Sequence, residues 1–261
     1  KEIENKLKAN PKIKAVFTTL CETSTGVTND IASIGKIVKN SDAVLVVDAI
    51  SGLGAIDLKV DAWSVDVCVS GSQKGLMLPP GLAFISLSKK AWAKTNEAKC
   101  PKYYFDLKTA QKALEKTDTP FTPAISLVIA LNEAIKMIRQ DGLENIFSRH
   151  EKMALAARSA MKALGLELFA PTAASDVVTA VKVPRSVDGE KLVKTMRDTY
   201  GVTIAGGQSE MKGKIFRIAH MGYITEFDII IGIACLEKVL KQMGYEFELG
   251  LGVKAAQEVF L

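Results

Sequence analysis

The chain has 261 residues, 48% of them hydrophobic and 24% charged, with a formal net charge of +5 at pH 7. That composition belongs to a folded globular protein with room for one large domain or two smaller ones. Its Lys and Arg residues are spread out, with no basic stretch interleaved with aromatics, which argues against a nucleic-acid partner. No apolar run reaches membrane-spanning length. The longest candidate, Ile229–Leu240, is broken by Glu237 and Lys238 and reads as a packed helix, so no membrane partner is expected. Cys21, Cys68, Cys100 and Cys235 are scattered and form no CxxC pair. That argues against a zinc or redox motif and fits a reducing, cytoplasmic setting.

In chain order, Lys1–Asn10 is lysine-rich and predicts an exposed helix, stopped by Pro11. Lys14–Leu20 predicts a strand, with the turn Glu22-Thr23-Ser24-Thr25-Gly26 beyond its end. Thr28 or Asn29 is placed to cap a helix over Asp30–Lys39, whose Ile31, Ile34 and Val38 form one apolar stripe. Ala43–Val47 is an unbroken apolar run, the mark of a strand buried on both faces of a parallel sheet, and Asp48 ends it. A second strand is expected over Val65–Val69, then the small polar turn Ser70-Gly71-Ser72-Gln73, Lys74, and a third strand over Leu82–Leu87. The alternation argues for an α/β fold with a mainly parallel sheet.

From Ser126 the period becomes helical, through Leu127, Leu131, Ala134 and Ile138. Gly142 interrupts, and a second long helix runs to Gly165. After Pro171 the texture is α+β: a strand over Val177–Val183, a helix over Asp188–Tyr200 closed by Gly201, a strand over Ile215–Ala219, and a helix over Glu226–Met243 capped by Thr225. A boundary near Gln140–Gly142 divides the chain into residues 1–140, a larger α/β domain, and residues 141–261, a smaller α+β domain.

Two residues of the first half invite chemistry. Asp48 lies at the carboxyl end of a strand, where open α/β sheets bind ligands. Lys74 follows the next strand and can reach the same crevice. An acid and an amine so placed suit pyridoxal phosphate, whose aldehyde needs an amine and whose pyridine nitrogen needs a carboxylate to stay protonated. By themselves they more often make a plain salt bridge.

The wording around them is more specific. VVDAISGLGAIDLKVDAW followed by SGSQKGLMLPPGLA resembles the class V aminotransferases, in particular the alanine–glyoxylate and serine–glyoxylate (serine–pyruvate) group. The resemblance continues through ETSTGV at Glu22–Val27, TPFTPA at Thr119–Ala124, DGLENIFSRH at Asp141–His150 and GKIFRIAHMG at Gly213–Gly222. It implies a fold-type I transferase dependent on pyridoxal 5'-phosphate. In that family the lysine matched by Lys74 takes the cofactor and moves the substrate proton. Asp48 then matches the partner of the ring nitrogen, Ile50 the apolar residue against one ring face, and Thr25 the hydroxyl on the ring oxygen. Gln73 matches a phosphate ligand. Thr119 and Thr122 match hydroxyls that reach the phosphate of a partner subunit's cofactor, which implies a homodimer. Arg217 matches the arginine that takes the substrate's α-carboxylate, since a planar guanidinium grips both oxygens. His220 and His150 read as structural.

The implied reaction moves an amino group from a small amino acid, alanine or serine, to a keto acid, glyoxylate or pyruvate. The family also carries an N-terminal region before the part that matches Lys1. Residues 1–261 alone are therefore expected to bind the cofactor weakly, with that region supplied as a missing segment or subunit. Two rivals stand beside this reading. One is a non-catalytic or incomplete fragment of such an enzyme. The other is a related class V reaction such as cysteine desulfuration, which is disfavoured because Gln73, not a histidine, precedes Lys74.

Overall fold

The computed structural model describes all residues from Lys1 to Leu261. Helix α1 (Glu2–Ala9) has acids in its first turn and lysines in its last, the charge order that suits the helix dipole. Strand β1 (Ala15–Thr19) leads into two short strands, β2 (Cys21–Glu22) and β3 (Val27–Thr28), paired antiparallel around the Ser/Thr-rich turn. Helix α2 (Ile31–Val38) is capped by Asp30, which accepts from the Ser33 N–H at 2.9 Å. Neither Thr28 nor Asn29 caps it. Thr28 lies in β3, and the Asn29 amide is spent on Thr19, donating to its carbonyl at 2.9 Å.

Strands β4 (Val44–Asp48), β5 (Val67–Gly71) and β6 (Ala83–Leu87) complete a sheet of order β1-β4-β5-β6. β1 and β5 run parallel to β4, and β6 runs antiparallel to β5. The expected burial of β4 on both faces holds only for one of them. Ala43, Leu45, Val47 and Ala49 are fully buried, while Val44, Val46 and Asp48 are half-buried. Side chains alternate along a strand, so the register puts Phe17, Val46, Val67 and Ile85 on the less covered face. Phe17 is 77% exposed there, and Asp48 faces the same way.

Helices α3 (Lys89–Glu97) and α4 (Leu107–Leu114) follow, neither expected from the sequence, then α5 (Ile125–Asp141) and α6 (Leu143–Ala163). The two long helices break at Gly142, which takes φ 80, a left-handed value open to glycine. β7 (Val178–Lys182), α7 (Gly189–Tyr200), β8 (Ala205–Gly206) and β9 (Ile215–Ala219) build a second, antiparallel sheet of order β7-β9-β8. Helix α8 (Glu226–Gln242) opens on a capping box between Thr225 and Asp228, as the Thr225 signal foretold, and α9 (Leu251–Phe260) ends the chain.

Two main cores result. Leu20, Ile31, Val38, Leu45 and Val47 pack the first sheet against α2. Met153, Met161, Leu192, Phe216, Leu236 and Leu240 pack α6, α7 and α8 against the second sheet. A small apolar cluster of Cys21, Ala55, Val177 and Val178 joins the two halves. No helix is long and apolar enough to cross a membrane.

Candidate active site

Parallel pairing sends the carboxyl ends of β4 and β5 to the same side of the sheet, with Asp48 opposite Val69. Asp48 Oδ1 accepts from the Ile50 N–H at 2.9 Å, and its second oxygen has no partner within the protein. The chain then leaves β5 through a tightly tied turn. Ser72 donates from Oγ to the Pro79 carbonyl at 2.7 Å and accepts from the Leu82 N–H at 3.2 Å. The Met77 N–H donates to the Lys74 carbonyl at 3.0 Å, and Met77 takes φ 63, rare for a side chain of its size. The Lys74 backbone is thus held, while the amine of this half-buried residue has neither an ion pair nor a hydrogen bond.

Arg217 approaches from the other half. It sits in the middle of β9, 9% exposed, between β7 and β8. Its Nε donates to the Gly206 carbonyl at 3.0 Å and its Nη1 to the Thr23 carbonyl at 2.7 Å. Nη2 has no protein partner. Burial pushes the guanidinium below its usual range, and the Glu22 carboxylate opposes that shift. Glu22 is held low in turn, chiefly by hydrogen bonds from the Ser24 hydroxyl and N–H.

Lys74, Arg217 and Thr23 line one cavity of about 600 Å³, with Gln208, Met221 and Ile224 among its other walls. The remaining sequence candidates lie outside that lining. Thr25 turns its hydroxyl toward the Glu22 carbonyl at 3.4 Å, within its own turn. Ile50 is half-buried next to Asp48, and Gln73 is exposed beside Lys74. Thr119 and Thr122 are both exposed, and Thr119 donates to the Phe121 carbonyl at 2.7 Å. The Thr23 carbonyl was not singled out from the sequence. Backbone atoms carry no residue signature, although Thr23 lies inside the quoted ETSTGV segment.

His220 is fully buried, which pushes its imidazole down to about 3. Its Nδ1 donates to the Asp176 carbonyl at 3.0 Å, so Nε2 accepts from the Thr179 hydroxyl at 2.9 Å. Both ring nitrogens are thus spent inside the protein. No group of three or more His, Cys, Asp or Glu side chains is arranged to hold a metal ion.

Aminotransferase class-V, as a family, matches residues 1–223, and the chain belongs to it. Its α/β architecture is that of the fold-type I enzymes. Among relatives, the soluble hydrogenase 42 kDa subunit of Anabaena cylindrica is 48% identical over 254 residues, covering 96% of this chain and 66% of its own length. The L-aspartate–glyoxylate aminotransferase of Paracoccus denitrificans is 39% identical over 251 residues, covering 95% of this chain and 63% of its own. The crystal structure of ureidoglycine–glyoxylate aminotransferase from Bacillus subtilis superposes with a TM-score of 0.94 at 31% identity, over 99% of this chain and 68% of that one. The chain therefore spans about two thirds of the length of the curated relatives it matches.

Proposed function

We propose that the protein transfers an amino group from a small amino acid, alanine or serine, to glyoxylate or pyruvate, using pyridoxal phosphate. The observation that carries this is one cavity lined by both Lys74, with a free amine, and Arg217, with a free guanidinium nitrogen. The names of relatives such as the Paracoccus glyoxylate aminotransferase support the choice of acceptor.

The residues suit the cofactor. Asp48 keeps one carboxylate oxygen free at a strand end, and Lys74 keeps its amine free beyond the adjacent one. When bound, the cofactor supplies an aldehyde to capture amines and an electron-poor ring to take up the electron pair released at the substrate's α-carbon. Asp48 would favour the protonated form of the ring nitrogen. Ile50 would pack against the ring, and Thr25 would offer the ring oxygen the hydroxyl that now faces the Glu22 carbonyl. Gln73 would donate to the phosphate. Thr119 and Thr122 would do so across a homodimer boundary, for which their exposure is suitable.

Lys74 Nζ would hold the cofactor through its aldehyde and, once free, would serve as the base that takes the proton from the substrate's α-carbon and gives it back. Arg217 holds the carboxylate so that the α-carbon faces Lys74. Its backbone anchors leave Nη1 and Nη2 as the gripping edge, with Nη1 shared with Thr23. We place the protein in the cytoplasm, in keeping with four free cysteines. We also keep the division into residues 1–140 and 141–261 as a domain proposal.

The test has two stages. The protein is titrated with pyridoxal phosphate and reduced with borohydride, and the modified peptide is mapped. It is then assayed with alanine or serine against glyoxylate or pyruvate. Modification at Lys74 with amino transfer supports the reading. A label that maps to another lysine overturns it.

A further inference from the structure

Two consecutive residues of α6 grip the turn that follows β9. His150 is fully buried. Its Nδ1 donates to the Ile146 carbonyl at 2.7 Å, so its Nε2 is left as an acceptor, and it takes the Gly222 N–H at 3.1 Å. Arg149 donates from Nη2 to the Gly222 carbonyl and from Nη1 to the Ile224 carbonyl, both at 3.1 Å. Both polar backbone groups of Gly222 are therefore claimed by α6. The turn they hold lies against the cavity lysine: a Cβ on Gly222 would come within 3.3 Å of the Lys74 carbonyl oxygen and 3.8 Å of Met77 Cγ. Gly222 takes φ 81, and Met221 and Ile224 on either side of it line the same cavity as Lys74 and Arg217.

We infer that His150 and Arg149 are positioning residues for Lys74. The proposal rests on the reading of Lys74 as the lysine that takes the cofactor. His150 and Arg149 touch neither cofactor nor substrate. They press the Gly222 turn onto the Lys74–Met77 backbone, which fixes the direction in which the lysine side chain leaves the chain. Burial holds His150 neutral, as its acceptor role requires. A rigid backbone on both sides of a flexible four-carbon side chain is what keeps its amine within reach of a reacting atom.

The experiment compares the purified chain with His150→Leu, His150→Gln and Arg149→Met. Leucine fills the space without accepting a hydrogen bond, whereas glutamine keeps an acceptor. Arg149 is only half-buried, so its variant tests the same turn even if His150→Leu fails to fold. The first readout, taken without cofactor, is hydrogen exchange at the Met77 N–H. The second is the rate at which borohydride fixes pyridoxal phosphate to Lys74, relative to all other lysines.

The expected result for His150→Leu and Arg149→Met is exchange about tenfold faster and fixing about tenfold slower, the equivalent of one lost hydrogen bond. His150→Gln should restore both. A role in packing alone would leave His150→Leu like the parent. If the parent chain fixes cofactor at Lys74 and all three variants match it, the positioning role is overturned while the site stands. If the parent chain shows no preference for Lys74, the reading of the site fails and takes this inference with it.

Discussion

Arg217 donates to the carbonyl oxygen of Thr23 at 2.7 Å across 194 residues of sequence. This bond ties the β2–β3 turn at the end of the first sheet to the central strand of the second. It also means that the arginine proposed to grip a carboxylate is already oriented before any ligand arrives. Its Nε and Nη1 are fixed by carbonyl oxygens, so little rotamer freedom remains to be lost on binding.

Arg217→Lys keeps the charge and removes the fork. The lysine cannot hold Gly206, Thr23 and a carboxylate together. Binding of alanine to the cofactor-loaded protein should weaken by roughly 1–3 kcal/mol, while cofactor binding hardly changes. Titration of the cofactor's visible band with alanine measures both. An unchanged alanine affinity would remove Arg217 from the site.

Gly222 and Gly232 should respond to alanine with opposite signs. Gly222 takes φ 81 and has the Lys74 carbonyl 3.3 Å from where a Cβ would sit. Gly222→Ala should destabilise the fold by roughly 1–2 kcal/mol. Gly232 lies inside α8 with nothing within 4 Å of its missing Cβ. Gly232→Ala should stabilise by roughly 0.5–1 kcal/mol. Urea midpoints of the two variants decide the matter, and a shift of the same sign in both would contradict this local geometry.

The two buried histidines should make the fold acid-sensitive. Burial pushes His220 down to about 3 and lowers His150 as well, against an ordinary value of 6.5. Above that ordinary value neither state is protonated and the stability is complete. As the pH falls below it, the unfolded chain takes up protons that the folded one refuses, and stability is lost. The slope is at most about 1.4 kcal/mol per pH unit for each histidine. His220→Gln, which can still pair with Thr179, should remove the His220 share between about pH 6 and pH 4. Denaturation curves of parent and variant that stay parallel through that range would show that His220 does not titrate on unfolding.

Glu237 supports the C-terminal helix. It is 2% exposed, and its carboxylate accepts from the N–H groups of Gly250, Gly252 and Val253 at 2.6, 2.8 and 3.0 Å. These are donors that the start of α9 leaves free, and a buried anion there is favoured by the helix dipole. Glu237→Gln turns an amide toward some of them and should destabilise by about 2 kcal/mol. Hydrogen exchange at Gly252 and Val253 should rise more than the global loss of stability explains. Protection equal to that of the parent would show that α9 does not depend on this carboxylate.

Local rules determined much of this protein. An apolar run ending in Asp48, a second strand followed by a small polar turn and Lys74, and helices stopped by Gly142 and Gly201 are all consequences of side-chain period and backbone freedom, which neighbouring residues suffice to set. Thr225 as a cap is of the same kind. Capping failed at α2 because Asn29 had a nearer use, on Thr19, that only the folded end of β1 supplies. Helix α4 has Leu107, Ala110 and Leu114 at helical spacing, but it is only eight residues long and buries none of them, so no core marks it out. Within the site, the residue types were legible and their assembly was not. The bond from Arg217 to Thr23, the clasp of His150 and Arg149 on Gly222, and the burial of Glu237 in a charged stretch of α8 each join groups far apart in the chain. Such contacts depend on how two sheets and their helices pack in space. Packing alone decides whether a given carboxylate, imidazole or carbonyl meets water or a partner, and therefore whether it stabilises the fold, positions a lysine or waits for a ligand.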